Sequence, residues 1–377
     1  MSAEFNVRFL RRFQRLLDEG DFSATYKFAL LRALADLSVE KPLDPGGTLT
    51  ISVREIAEKF IEYYWRQARP YHHSLLYQSG KGQAEVITKI VGHQNAVTEN
   101  LAEARADPSR WERLVRKVAV NVERDPLRRL QTLPARSDDF LYEQPAERGN
   151  IAAHEVTICL RPGVPAAFQD FHPLVISLLE SAWIQRIVSI RSNGEVLGDS
   201  GRLGEFLFGA ERQGLDDYRE VLLEIHGAAC FYCQKKLKNR GNVDHFIAWS
   251  RYQVDLGHNF VLSCQPCNEN KHDYLPSVDF LHQWRAANLD RAGQLSAEFQ
   301  RRKLPHNEMR SRRVAQWAYQ QAEISGANTW GGRGRFLPLR GDWREALGLF
   351  PPVMKAAEDA GRYEMDIDQL KTATLKS

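Results

Sequence analysis

The chain has little cysteine, five residues in 377, and no run of about 18 uncharged apolar residues of the kind that crosses a bilayer. Its first residues, MSAEFNVRFLRRFQRLLDEG, are broken by arginines and lack the uninterrupted apolar stretch of an export signal. A cytoplasmic protein without membrane contact is expected, in a reducing compartment where closely spaced cysteines favour metal over disulfide. Neither sign of charge dominates: 51 Lys and Arg against 48 Asp and Glu leave +3, too small a balance to identify a partner. Internal repeats and heptads are missing. The GKG at residues 80–82 lacks the rest of a phosphate-binding loop, which argues against a nucleotide-driven motor.

What is there reads as a globular chain. With 43% hydrophobic and 26% charged residues it can bury a core without staples, and its length exceeds what one core usually supports, so two or three domains are expected. Phe9, Leu10, Phe13, Leu16 and Leu17 recur at helical spacing, with Arg8, Arg11, Arg12 and Arg15 along another, solvated face. Ser52 and Glu55 form a capping box for the next helix, and Asp107-Pro108 opens one that buries Trp111, Leu114, Val115, Val118 and Val122. Residues 134–150, PARSDDFLYEQPAERGN, are polar and proline-bearing, as a linker would be. After them HEVTICL alternates like a strand and carries Cys159 as a buried thiol, and a helix is expected from about Pro165 to Ile187. The fold class expected is α+β, mostly helical.

Four of the five cysteines crowd into one stretch as Cys230-x-x-Cys233 and Cys264-x-x-Cys267. Two such knuckles, each presenting two thiolates to one tetrahedral ion, make a closed zinc site, which holds structure because no position is left for water. The 30 residues between the pairs exceed the roughly 15 to 20 of a simple zinc ribbon, so something else is threaded there. Positive charge also gathers here. Residues 230–313 hold 14 Lys or Arg against 8 Asp or Glu, which leaves −3 for the rest of the chain, and a polyanion would bind on the positive part.

Asp244-His245 ends the first threaded segment, Asn259 follows 14 residues after His245, and Asn268 9 residues further on. In these residues and this spacing the stretch from about 230 to 285 resembles the HNH endonuclease family, whose ββα-metal motif is a two-stranded hairpin followed by a helix. The third position is Asn268 rather than histidine, an H-N-N variant. The resemblance implies phosphodiester hydrolysis. A neutral histidine suits proton abstraction from water at pH 7, so His245 is the expected general base. Asp244 and Asn268 would offer oxygen ligands to a catalytic Mg²⁺ or Mn²⁺, with His272, four residues beyond Asn268, as the alternative ligand. Asn259 is expected to hold the loop that carries the histidine. Arg251 and Lys271 are expected to contact the substrate phosphate.

These readings divide the chain into a helical N-terminal domain at 1–135 for targeting, dimerisation or regulation, a linker and short α/β segment at 136–205, an HNH nuclease domain at 206–300, and a helical C-terminal extension at 301–377. The function expected is a metal-dependent endonuclease that cuts double-stranded DNA to 5′-phosphate and 3′-hydroxyl ends. Analogy suggests bacterial restriction or anti-phage defence, with a possible homodimer and a possible activating partner protein. Two alternatives stand beside it: a zinc-stabilised nucleic-acid-binding module that does not cleave, and a mobile-element homing nuclease.

Overall fold

The computed structural model describes residues 3–133, 138–147, 149–198, 202–209 and 215–349. Helices α1 (Ala3–Glu19) and α2 (Tyr26–Glu40) lead into strand β1 (Leu49–Ser52) and helices α3 (Val53–Trp65), α4 (Glu85–Ala96), α5 (Leu101–Arg105), α6 (Pro108–Arg124) and α7 (Pro126–Arg129). Strand β2 (Thr157–Leu160) and helices α8 (Val164–Asp170), α9 (His172–Ser189), α10 (Gly194–Leu197) and α11 (Leu203–Phe208) follow. The second half holds α12 (Leu215–His226), β3 (Asn242–His245), β4 (Phe260–Ser263), α13 (Gln265–Lys271), α14 (Val278–Trp284), α15 (Ala292–Arg301) and α16 (Glu308–Ile324). It closes with β5 (Asn328–Trp330), β6 (Phe336–Pro338) and α17 (Trp343–Ala346). The class is α+β and mostly helical, with three two-stranded antiparallel sheets among the described residues. No single described helix is long and apolar enough to cross a membrane.

Local chemistry sets the ends of these elements. Ser52 Oγ accepts the Glu55 amide while the Glu55 carboxylate accepts the Ser52 amide, a complete capping box at the start of α3. Asp107 accepts the Arg110 amide and Pro108 fills the first turn of α6, whose buried stripe includes Trp111, Leu114, Val115, Val118 and Val122. In α1 the apolar stripe buries Phe9, Phe13 and Leu16. One arginine on its charged face is not merely solvated: Arg12 pairs with Asp138 and lies 4.7 Å over the Phe140 ring.

Residues 140–207 complete the core of residues 9–133 and do not stand apart from it. β1 pairs with β2 from Leu49↔Leu160 to Ser52↔Thr157, and one buried cluster runs from Phe9 to Leu207. The boundary expected at 135/136 therefore runs through a single packed body. The segment read as a linker is partly outside the described residues; Phe140, Leu141 and Tyr142 within it are buried. Strand β2 sends Ile158 and Leu160 inward and Thr157 and Cys159 outward, so Cys159 is exposed. The expectation of a buried thiol fails because the pleat alternates one residue out of phase with it. The single helix expected at 165–187 is two, separated at Phe171.

The second core, Tyr218 to Leu347, includes the chain beyond 300. There the expected helical extension contains α16 and also the β5–β6 hairpin, and residues 350–377 lie outside the described residues. The two bodies meet along α2 and α16. Trp317 Nε1 donates to the Gln169 carbonyl at 2.9 Å, and His172 packs its ring 5.3 Å from Trp317. Between them lies a buried charge cluster. Glu40 accepts from Lys59, Arg310 and the Tyr252 hydroxyl, each at 2.6 Å, and Glu62 pairs with Lys59 at 3.4 Å, with Arg310 at 3.4 Å and with Arg105. Burial alone would push the Glu62 carboxyl up, but Lys59, Arg310 and Arg105 outweigh it and hold it well below the usual carboxylate range.

Removing one partner of such a cluster strands the charges left behind. Arg310→Ala is expected to cost about 3 kcal/mol in urea unfolding, and a loss below about 0.5 kcal/mol, the range of ordinary surface substitutions, would show that the two bodies do not depend on it. A second test uses pH. His258 is buried, with its Nε2 3.1 Å from Ser296 Oγ, and burial, helped by His306, lowers its pKa to about 4. The unfolded histidine takes up its proton near 6.5, so this site's contribution is complete above pH 6.5 and is lost as pH falls towards 4. The melting temperature of wild type should drop relative to His258→Gln across that window, and parallel curves would remove His258 as the cause.

Candidate functional site

The site is built on the β3–β4 hairpin. Val243 and Leu262 sit opposite each other, as do Asp244 with Val261 and His245 with Phe260. The turn of residues 257–259 that enters β4 is pressed against α15 so closely that a Cβ at Gly257 would run into the Phe299 ring. Asn259 ends that turn. Its Oδ1 accepts the Ile247 amide at 2.9 Å and its Nδ2 donates to the Ile247 carbonyl at 3.0 Å, while its own carbonyl accepts the Phe246 amide at 2.7 Å. Three hydrogen bonds thus fix the backbone that leaves His245.

The four cysteines converge on one point. Their sulfurs all lie within 4.8 Å of one another, and Cys233 and Cys264 are 3.8 Å apart. A tetrahedral zinc with Zn–S of about 2.3 Å places its sulfurs about 3.8 Å from each other, so the cluster fits that ion. The first knuckle is turned by the Gln234 amide on the Cys230 carbonyl and the Cys230 amide on the Lys235 carbonyl, and the Phe231 amide ties it to Leu262 of β4 at 2.7 Å. Cys264 is the N-cap of α13, and its carbonyl accepts both the Cys267 and Asn268 amides. An ion held here therefore fixes the hairpin and the helix bearing Asn268 together. Burial pushes the Cys230 and Cys267 thiols up, so four thiolates need a cation beside them.

Asp244 is buried and fully engaged. Its Oδ2 accepts the Tyr232 hydroxyl at 2.6 Å, and its Oδ1 accepts the Lys271 ammonium at 3.2 Å. Lys271 also donates to the His245 carbonyl at 2.8 Å and is 1% exposed. This corrects the expectation that Lys271 meets a substrate phosphate: the carboxylate and carbonyl at the end of β3 draw its ammonium inward. Asn268, one turn before Lys271 on α13, is half-buried, and among the described residues its side-chain amide has no hydrogen-bond partner. Asp244 and Asn268 are hard oxygen donors of the kind Mg²⁺ takes with retained waters, though a dication at Asp244 would compete with Lys271. His272 does not fit as a ligand. Helix α13 ends at Lys271, and His272 turns to φ 47° with its side chain 71% exposed, 3.5 Å from Asp273, so helical i,i+4 spacing does not apply to it.

His245 has a partner that the sequence did not reveal. Its Nε2 lies 2.6 Å from Asp255 Oδ1, and its ring packs edge-on against Phe260 at 4.7 Å and Trp249 at 5.6 Å. A carboxylate only accepts, so Nε2 carries a proton, and in the neutral ring the lone pair is then on Nδ1. The one signal for Asp255 was an acidic residue in the loop between the two strands, and nothing in its spacing singled it out. Arg251, from the same loop and expected to contact the substrate phosphate, donates its Nε to the Asp273 carbonyl at 2.9 Å and lines a cavity between the two bodies.

Two family models match the chain. One, described as Domain of unknown function (DUF8808), covers residues 7–203, just over half of the chain. The other, HNH endonuclease, covers residues 230–274. No curated protein and no solved structure matches.

Cys264→Ser should lower both zinc content and melting temperature, because it removes one of four sulfurs and loosens the start of α13. Full zinc retention by elemental analysis, together with an unchanged melting temperature, would exclude a structural ion at this cluster.

Proposed function

Because the chain belongs to the DUF8808 family and carries an HNH endonuclease domain behind that region, we infer that it is a metal-dependent endonuclease hydrolysing DNA to 5′-phosphate and 3′-hydroxyl ends. The observation that carries this reading is the Asp255–His245 pair, at the end of β3 beside the helix that bears Asn268. With its proton held on Nε2 by Asp255, His245 presents Nδ1 as a base towards a water and takes its proton as that water attacks phosphorus. Asn259 keeps the histidine's backbone in place through Ile247. Tyr232 and Lys271 orient the Asp244 carboxylate. A Mg²⁺ or Mn²⁺ ion held by Asp244 and Asn268 would supply Lewis acidity at the phosphate and the departing 3′-oxygen. The charge excess around the motif supports a nucleic-acid substrate. Double-stranded DNA is the reading that the family favours. On this proposal the 7–203 region contributes target choice, self-association or restraint, in a restriction or anti-phage setting.

A second reading has its own support. The Lys271 ammonium already neutralises Asp244 at 3.2 Å, as suits a zinc-stabilised nucleic-acid-binding module that does not cleave. Supercoiled plasmid separates the two. With Mg²⁺ or Mn²⁺ the wild type should nick it, and chelation should stop the reaction until Mg²⁺ is restored. His245→Ala should abolish nicking, and Asp255→Asn should slow it about 10²-fold with DNA binding retained. Binding without nicking in the wild type would favour the non-cleaving module, and nicking undiminished in His245→Ala would sink the general-base role.

A further inference from the structure

The two bodies enclose a cavity of about 440 Å³, within the size range of small-molecule sites. Its walls come from α2, α3, α5, α9 and α11 on one side and from the loop 249–256, Pro305 and Arg310 of α16 on the other. None of Asp244, His245, Asn268 or the four cysteines lines it. It shares one wall with the hairpin site, since Trp249 and Asp255 line the cavity and also touch the His245 ring.

The polar groups of this cavity are unevenly used. Asp36 has both oxygens taken, by His172 at 2.8 Å and the Tyr63 hydroxyl at 2.7 Å, and Glu62 is held by Lys59, Arg105 and Arg310. Donors remain to spare. Arg66 is bonded through Nη1 to the Gly209 carbonyl and Arg251 through Nε to the Asp273 carbonyl, each of which leaves other guanidinium donors. Acceptors remain as well: Glu180 and Asp255 also line the cavity, and each is engaged through one oxygen, with Arg32 and His245, so the cavity fits a ligand that carries both an anionic group, for which arginine forks match phosphate, and hydroxyl or amino donors. The remaining walls are aromatic, with Tyr63, Trp65, Phe208, Trp249 and Tyr252, surfaces on which a planar base stacks.

We propose that this cavity binds a nucleotide, with its phosphate on the arginines and its base against the aromatic walls. The ligand is either a free nucleotide or one unpaired nucleotide of a bound DNA strand. The free-nucleotide case is independent of the endonuclease reading, and the strand case rests on it. Because Trp65 and Trp249 line the cavity, occupancy should change intrinsic tryptophan fluorescence. The full-length, zinc-loaded protein, without added Mg²⁺ so that no cleavage occurs, is titrated with the four deoxynucleoside 5′-monophosphates, with ATP and with a single-stranded hexanucleotide, by fluorescence and calorimetry. Arg66→Ala removes a cation, and Ser177→Trp fills the space from an exposed position on α9 that lines the cavity. Saturable binding of one equivalent, weakened at least tenfold in both variants, is expected. Binding of the small nucleotides identifies a free ligand, and such binding of the hexanucleotide alone identifies a strand. Absence of saturable binding of every probe, or binding equally tight in both variants, overturns the proposal. Neither result depends on cleavage, so the fate of the endonuclease reading is settled separately.

Discussion

Four thiols whose sulfurs lie within 4.8 Å of one another are an unfavourable arrangement unless something positive sits among them, because ionising any one raises the cost of ionising the next. The hairpin site hangs on this constraint. Cys230 and Cys233 come before β3, and Cys264 and Cys267 open α13 directly after β4, so a central ion closes a ring of chain around the hairpin. A loop closed in this way need not rely on a large local core. This explains how strands of four residues each can hold Asp244 and His245 in a fixed geometry when short hairpins alone are marginal.

The residues of the site then fall into two groups according to how they are held. Asp244, Lys271 and Tyr232 form a buried network in which each polar group has a partner, which makes it rigid and costly to disturb. His245, Asp255 and Trp249 belong to the loop side, where the loop itself is bound elsewhere: Tyr252 hydrogen-bonds Glu40 of α2 across the interface. The position of the histidine's partner is therefore set partly by the N-terminal body. Chemistry on the hairpin and packing in a separate core are joined through a loop of eight residues.

Much of this was legible in the sequence where chemistry repeats at fixed spacing. The capping box at Ser52 and Glu55, the Asp107-Pro108 start and the buried stripe of α6 follow from local rules, and two Cys-x-x-Cys pairs point to a metal without any knowledge of the fold. The less legible parts depend on what lies across space. Nothing local says that β1 would pair with a strand more than a hundred residues away, or that this pairing would turn Cys159 outward. His272 was assigned by helical spacing, which fails where the helix stops, and Lys271 by the family resemblance, which does not register that a buried carboxylate outcompetes solvent for a long side chain. Asp255 has no motif because it acts from a loop whose path is set by its anchor on α2.

That anchor also bears on how separable the two halves are. The endonuclease match covers residues 230–274, which invites the picture of a portable module. Yet the surface this body turns to its neighbour carries Arg310, Tyr252 and Trp317, whose partners Glu40, Glu62, His172 and Gln169 all lie in the other half. Cut free, the C-terminal body would present an uncompensated cation and two large rings to water, and the loop holding Asp255 would lose its tether. Its autonomy ends where its sequence motif does, and inheritance of the motif by another chain would require a replacement for that missing face.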